Sequence, residues 1–221
     1  MRILVLLLAI AGAALFALKP WEGDPVVVLM DTTAKDGVYG KENRENGGNN
    51  AQDLSKVLQE LKPYIFLPEP VSSSWNRQSQ IVKLHPRLVI MHRSMLFHAL
   101  NAEFKFGSPR SPNEGYDPER WKLLYEVADE RLASVMGFVG TVDSRTQFLI
   151  YSRGTDTNWL NQTWRSDWVK GIEDQYPKLR GRIHTMEIQG DYETATFTNP
   201  EIGRLIRDEV RKILRLPDKR N

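Results

Sequence analysis

Three short runs along the chain are apolar at every position: Val26-Val27-Val28-Leu29-Met30, Leu88-Val89-Ile90-Met91 and Phe148-Leu149-Ile150-Tyr151. They are rich in β-branched or aromatic side chains, the pattern of strands covered on both faces of a parallel sheet. A fourth segment, Ile183 to Ile188, alternates apolar and polar positions and predicts a strand nearer the sheet edge. Helical spacing lies between these runs. Ala51 to Leu61 sets Leu54, Val57, Leu58 and Leu61 on one face, with Asn49 or Asn50 as N-cap and Pro63 just beyond. Asp117-Pro118 opens a helix running to about Met136, with Asp as cap and Pro at the first position. Asn158 to Tyr176 carries Trp159, Trp164 and Trp168 and closes at Pro177, and Asn199-Pro200 opens a last helix through Leu214. Strands alternating with helices predict a single α/β domain over residues 20–221, a three-layer, mostly parallel, doubly wound sheet with helices on both faces. Gly37 to Asn50 and Gly107 to Gly115 read as long loops.

Residues 1–19 stand apart. Ile3 to Leu18 is an unbroken apolar run between Arg2 and Lys19-Pro20. As a helix it would rise about 24 Å, short of a full bilayer core, which fits a signal peptide or a short N-terminal membrane anchor. The expectation is therefore an exported protein, periplasmic or anchored to a membrane and facing the periplasm or outside.

This segment changes the meaning of the charge. The chain has 30 basic and 28 acidic side chains, and Arg2 and Lys19 account for the difference. The body is formally neutral. Its basic residues gather at the C-terminal end, as Arg204, Arg207, Arg211, Lys212, Arg215, Lys219 and Arg220. That pattern predicts a solvated helix face, with a membrane-surface role second, and argues against a nucleic-acid partner. The absence of cysteine excludes thiol nucleophiles, thiolate metal sites and disulfides.

In an open parallel sheet, ligands bind outside the carboxyl ends of the strands. The first strand ends at Asp31-Thr32-Thr33, the second at His92-Arg93-Ser94, the third at Ser152-Arg153-Gly154 and the fourth at Gly190-Asp191. These ends predict one cleft holding Asp31, His92, Arg93 and Ser152. Asp31 would orient a base or accept hydrogen bonds from a sugar. Arg93 and Arg153 would clamp an anion or form ion pairs with Asp31. His92 is the best-placed histidine for acid–base work, whereas His85 reads as a loop or helix-end residue and His184 as a structural one. No histidine pair has metal-ligand spacing, so neither a metal nor a cofactor is expected.

The layout resembles the SGNH (GDSL-like) hydrolase superfamily, and the resemblance implies a flavodoxin-like three-layer fold. Leu29-Met30-Asp31-Thr32-Thr33 resembles the block after the first strand, with Thr32 at the nucleophile position. Gly47-Gly48-Asn49-Asn50-Ala51 looks like the second block, and Pro86 to Ser94 the third. Thr198-Asn199-Pro200-Glu201 is similar to the approach to the last helix. The third block lacks the family's Asn. Asp191 lies upstream of the last helix, but Thr196 or Phe197 stands where the catalytic His is expected. A hydroxyl nucleophile at Thr32 would then need His92 or His98 from another loop.

Two function classes follow. The resemblance implies an exported hydrolase acting on ester or acyl groups of an envelope polymer or lipid, with Asp31, Thr32, Asn49, His92 and Ser94 in its site. The alternative is a catalytically inactive domain that binds an anionic or sugar ligand, or an envelope partner, through Arg93 and Arg153. In either class Asn49, Asn50, Ser152 and Asp191 are ligand-binding candidates. Trp75, Trp159, Trp164 and Trp168 would either stack on sugar rings or pack in the core.

Overall fold

A computed structural model describes residues 27–31, 54, 56–58, 64–68, 74–93, 96, 100, 117–153, 162–188 and 199–216. Five strands form one sheet: β1 (Val27–Asp31), β2 (Tyr64–Pro68), β3 (Leu88–His92), β4 (Gln147–Arg153) and β5 (Ile183–Ile188). Their order is β2-β1-β3-β4-β5, and every pairing is parallel. Among the described residues, the helices that accompany them include α1 (Ser74–Leu84), α2 (Pro118–Val142), α3 (Gln162–Gln175) and α4 (Pro200–Leu214), and Leu54, Leu58, Leu96 and Leu100 are also helical. The chain is an α/β protein with a doubly wound parallel sheet, as its apolar pattern predicts.

The pleat sorts the core into two layers. Val89 and Met91 of β3 and Phe148 and Ile150 of β4 pack with Ile81, Leu132, Met136 and Ile172 from α1, α2 and α3. Leu88 and Ile90, with Leu149 and Tyr151, face the other way onto Leu54, Leu58 and Ile202, Ile206, Val210 and Leu214 of α4. Successive residues on each strand thus enter opposite cores, which is why these runs lack polar alternation.

The caps expected at Asp117 and Asn199 are present. Asp117 accepts hydrogen bonds from the amides of Glu119 and Arg120, and Asn199 accepts one from Glu201, each before a proline at the first helical turn. His85 ends α1 in the left-handed region, at φ 48°, just before Pro86. Three elements depart from the sequence reading. β2 and α1 are additional, and α2 extends six residues beyond Met136, to Val142. β2 lies at the sheet edge, where Pro68 costs no ladder bond that an inner strand would need. The loops over Gly37–Asn50 and Gly107–Gly115, and most of the helix expected over Ala51–Leu61, lie outside the described residues.

Arg182 knits the edge at which β4 and β5 begin. Its guanidinium is buried and donates to the carbonyls of Thr146, Gly140, Lys178 and Asp143 at 2.7–2.9 Å. Gly140 and Asp143 are at the C-terminal end of α2, where a cation also meets the negative pole of the helix. Burial pushes Arg182 below the ordinary arginine value, and Asp143 opposes that shift. The close approach requires Gly140. A Cβ there would run into Leu179 and come within 3.0 Å of Arg182 Nη2.

Asp143 is buried in the same cluster. It accepts bonds from the amide, Nε and Nη2 of Arg145 and lies 3.4 Å from His85 Nδ1. Burial alone would raise its carboxyl, but the Arg145 and His85 interactions outweigh this and hold it below the usual carboxylate value. Lysine cannot reproduce the five-bond fork of Arg182, so Arg182→Lys leaves buried carbonyls without donors. Its expected cost is about 2–4 kcal/mol in chemical denaturation.

Candidate functional site

The order β2-β1-β3-β4-β5 has one reversal. From β1 the chain goes out to β2 and returns to β3 on the other flank of β1. The carboxyl ends of β1 and β3 border this switch point, the place at which open parallel sheets bind ligands. The β1–β3 register runs from Val27 opposite Leu88 to Met30 opposite Met91. Asp31 and His92 follow as the last residues of adjacent strands.

His92 is half-buried and meets the ring of buried Tyr151 edge-on, with centroids 5.0 Å apart and planes at 75°. That contact lies on the α4 side of the sheet, the side of Leu88, Ile90 and Tyr151. Arg93 takes the opposite side. It is only 3% exposed, its Nη2 donates to Asp129 Oδ2 at 2.9 Å, and its guanidinium packs over Trp164 at 4.5 Å and Tyr125 at 5.7 Å. Its amide donates to the Tyr151 carbonyl at 2.8 Å, fixing the turn out of β3 against β4. Ser152 is buried at 4% exposure and alternates with Tyr151, so it shares the Phe148 and Ile150 face of β4 with α2 and α3.

The pleat therefore splits the expected cleft. His92 turns toward the α4 layer, whereas Arg93 and Ser152 turn toward α2 and α3. Arg93 is paired with Asp129, and its planar face is covered by Trp164. Beside it Trp164 stacks on Trp168 with planes 11° apart, and both pack partly buried against the core. Arg165 pairs with Glu187 at 3.0 Å, both mostly buried. Sequence reasoning missed Asp129, Tyr125 and Glu187 as partners. Tyr125 and Asp129 are one helical turn apart, the signal by which a shared Arg93-facing surface could have been found.

Thr32, Ser94, Asn49, Asn50 and Asp191 lie outside the described residues, as do Trp159, His98 and the side chains of Asp31 and Arg153. Among the described residues no group of three or more His, Asp or Glu side chains could hold a metal ion. No described helix is long and apolar enough to cross a membrane.

His184 sits on β5, away from the switch point, with Nε2 3.0 Å from Gln147 Oε1. Burial lowers its pKa below the ordinary imidazole value, Glu209 pulls it up and Lys212 pushes it down.

No protein-family profile matches the chain, and no curated protein sequence does. Two solved structures are similar in part. One belongs to a study of a carbohydrate esterase whose active site displays divergent catalytic and non-catalytic binding functions. It has 10% identity and a TM-score of 0.47, covering 91% of this chain and 71% of that one. The other is the psychrotrophic esterase EstA from Pseudoalteromonas sp., inhibited by monoethylphosphonate. It has 11% identity and a TM-score of 0.39, covering 87% of this chain and all of that one. Both superpositions are loose.

Two outcomes test these assignments. Arg93→Met strands the partly buried Asp129 carboxylate and should cost about 3–5 kcal/mol by denaturant melts without any ligand. A guanidinium reserved for a ligand would leave that stability unchanged. His184 binds its proton less readily folded than unfolded. Its stabilising contribution is therefore full above about pH 6.5, the unfolded value, and falls as pH drops toward its lower folded pKa. His184→Gln should flatten this part of the pH–stability curve.

Proposed function

We propose that the chain is an exported hydrolase acting on ester or acyl groups of an envelope polymer or lipid. The observation that carries this reading is the switch point between β1 and β3, bordered by Asp31 on one strand and His92 on the other. Each strand leads directly into a hydroxyl residue, Thr32 after β1 and Ser94 two residues after β3. In the proposed reaction one of these hydroxyls attacks the ester carbonyl while His92 takes its proton. The tetrahedral oxyanion collapses to an acyl-enzyme and expels the alkoxide, which His92 reprotonates. Asp31 orients the imidazole. Water then repeats the sequence to release the acid. Backbone amides of the loop leaving β1 supply the oxyanion donors in place of the missing Asn. The apolar leader, Ile3 to Leu18, supports export.

The second class, a non-catalytic binder gripping an anion through Arg93, is disfavoured because Asp129 and Trp164 already occupy that guanidinium. Assay with chromogenic short-chain esters and acetylated sugars separates the two classes. Hydrolysis should be measurable, and His92→Ala together with Thr32→Ala or Ser94→Ala should lower kcat/KM by about 10²-fold or more. Turnover unaffected by all three substitutions would reject the proposed chemistry. Calorimetric binding of acetylated sugars without turnover would move the site to the binding class.

A further inference from the structure

The edge of the sheet opposite the candidate site is knit into one surface by side-chain contacts. His85, Pro86 and Arg87 lead into β3. Thr146 Oγ1 donates to the Pro86 carbonyl at 2.8 Å, the Gln147 amide donates to the Arg87 carbonyl at 2.9 Å, and Arg182 ties both strands to α2 and Lys178. The C-terminus of α4 reaches the same edge, because His184, the second residue of β5, feels Glu209 and Lys212. β1 also begins there, with Val27 opposite Leu88, so the chain rising from the apolar leader enters the sheet at this edge.

This surface is basic. Lys83, Arg87, Lys178 and Arg215 are exposed and have no ion pair among the described residues. Arg145, Arg180 and Lys212 are also largely exposed, although each has a carboxylate partner. Two apolar side chains join them on the last turns of α2, Phe138, 44% exposed, and Val142, 54% exposed; Leu123 and Leu205 are similarly exposed nearer the other edge, so it is the unpaired cations that set this edge apart. Two of the helices begin at the other edge with acidic residues, Asp117 and Glu119 on α2 and Glu201 on α4. Among the described residues, the exposed cations without an ion pair at this edge outnumber its acids Glu173, Asp174 and Glu209, each of which meets a donor there.

We propose that this basic edge rests on the surface of an anionic lipid bilayer, beside the point where the leader enters the membrane. The inference rests on the proposed export through a retained apolar leader, and not on the hydrolytic chemistry. Unpaired cations at an anionic surface, flanked by exposed apolar side chains and a membrane-inserted segment, supply the two signals that stable peripheral attachment needs. The occupant is a bilayer rather than a nucleic acid because the apolar leader delivers the chain there and the apolar pair has no counterpart on a phosphate backbone. In this orientation the switch point faces away from the lipid, about 17 Å further along the strands. A site so placed would act on a polymer or soluble ester beyond the membrane rather than on the lipids beneath it.

The chain has no native cysteine, so a single introduced one is unique. Full-length protein carrying Ser144→Cys on the basic edge, or Glu201→Cys on the opposite edge, is labelled with a fluorophore and reconstituted into vesicles containing headgroup-nitroxide lipid. Both positions are exposed. In phosphatidylglycerol-containing vesicles the Ser144→Cys label should be quenched several-fold more than the Glu201→Cys label. The difference should vanish in phosphatidylcholine vesicles and at high salt. Each cation removed among Lys83→Gln, Arg87→Gln, Lys178→Gln and Arg215→Gln should weaken the surface contact about fivefold while the thermal midpoint stays unchanged. Equal quenching of the two labels in anionic vesicles overturns the proposal. Salt-sensitive retention of the full chain by mixed-sequence duplex DNA, stronger than its response to anionic vesicles, overturns it in favour of a nucleic-acid surface.

Discussion

A parallel sheet covered by helices on both faces can admit charge only along its two ends. Every inner strand here is apolar on both sides: Leu88 to Met91 and Phe148 to Tyr151 are almost wholly excluded from solvent. Because all five strands run the same way, their carboxyl ends share one edge and their amino ends the other. Asp31, His92, Arg93 and Ser152 therefore gather along one edge, and Arg87, Arg145 and Arg182 along the other. The same constraint fixes which side chains can cooperate. Neighbours in sequence at a strand end enter opposite layers, so His92 meets Tyr151 while Arg93 meets Asp129 and Trp164.

The two edges use charge differently. At the carboxyl edge, Arg93 and Arg165 pair with Asp129 and Glu187, and Trp164 packs over Arg93. Such pairs position loops and helix starts, while His92 alone among the described candidates keeps partial exposure at the switch point. At the amino edge, Arg182 spends its donors on backbone carbonyls and Asp143 gathers Arg145 and His85, leaving other cations on the outside. A buried arginine that serves carbonyls satisfies helix and strand ends, and the buried Asp143 carboxylate beside it offsets part of the cost of burying its charge.

Much of this was legible in the residues. Continuous apolar runs revealed β1, β3 and β4, alternation in Ile183 to Ile188 revealed β5 beyond them, and Asp-Pro and Asn-Pro fixed the starts of α2 and α4. Two elements were hidden for physical reasons. Tyr64 to Leu67 is a short apolar run enclosed by Pro63 and Pro68, and proline argues against an inner strand, but β2 is an edge strand. Ser74 to Leu84 has few apolar residues, and its buried Gln78 reads as a solvent position. For the site, the sequence located the strand ends but not the pleat's consequence. Nor could it reveal that a helix residue some thirty-six positions along, Asp129, would claim Arg93.

The Arg182 fan also bears on how the fold comes apart. Its acceptors belong to the end of α2, the start of β4 and the turn before β5, so the bonds can form only when all three are already in place. A contact assembled last contributes little to the folding transition state. Its stabilisation appears instead in the barrier that the native molecule must climb to open. For a chain without cysteine, and so without disulfides, that is a useful place for it. Persistence then rests on slow unfolding, and Arg182 acts less as a strut than as a lock closed from inside.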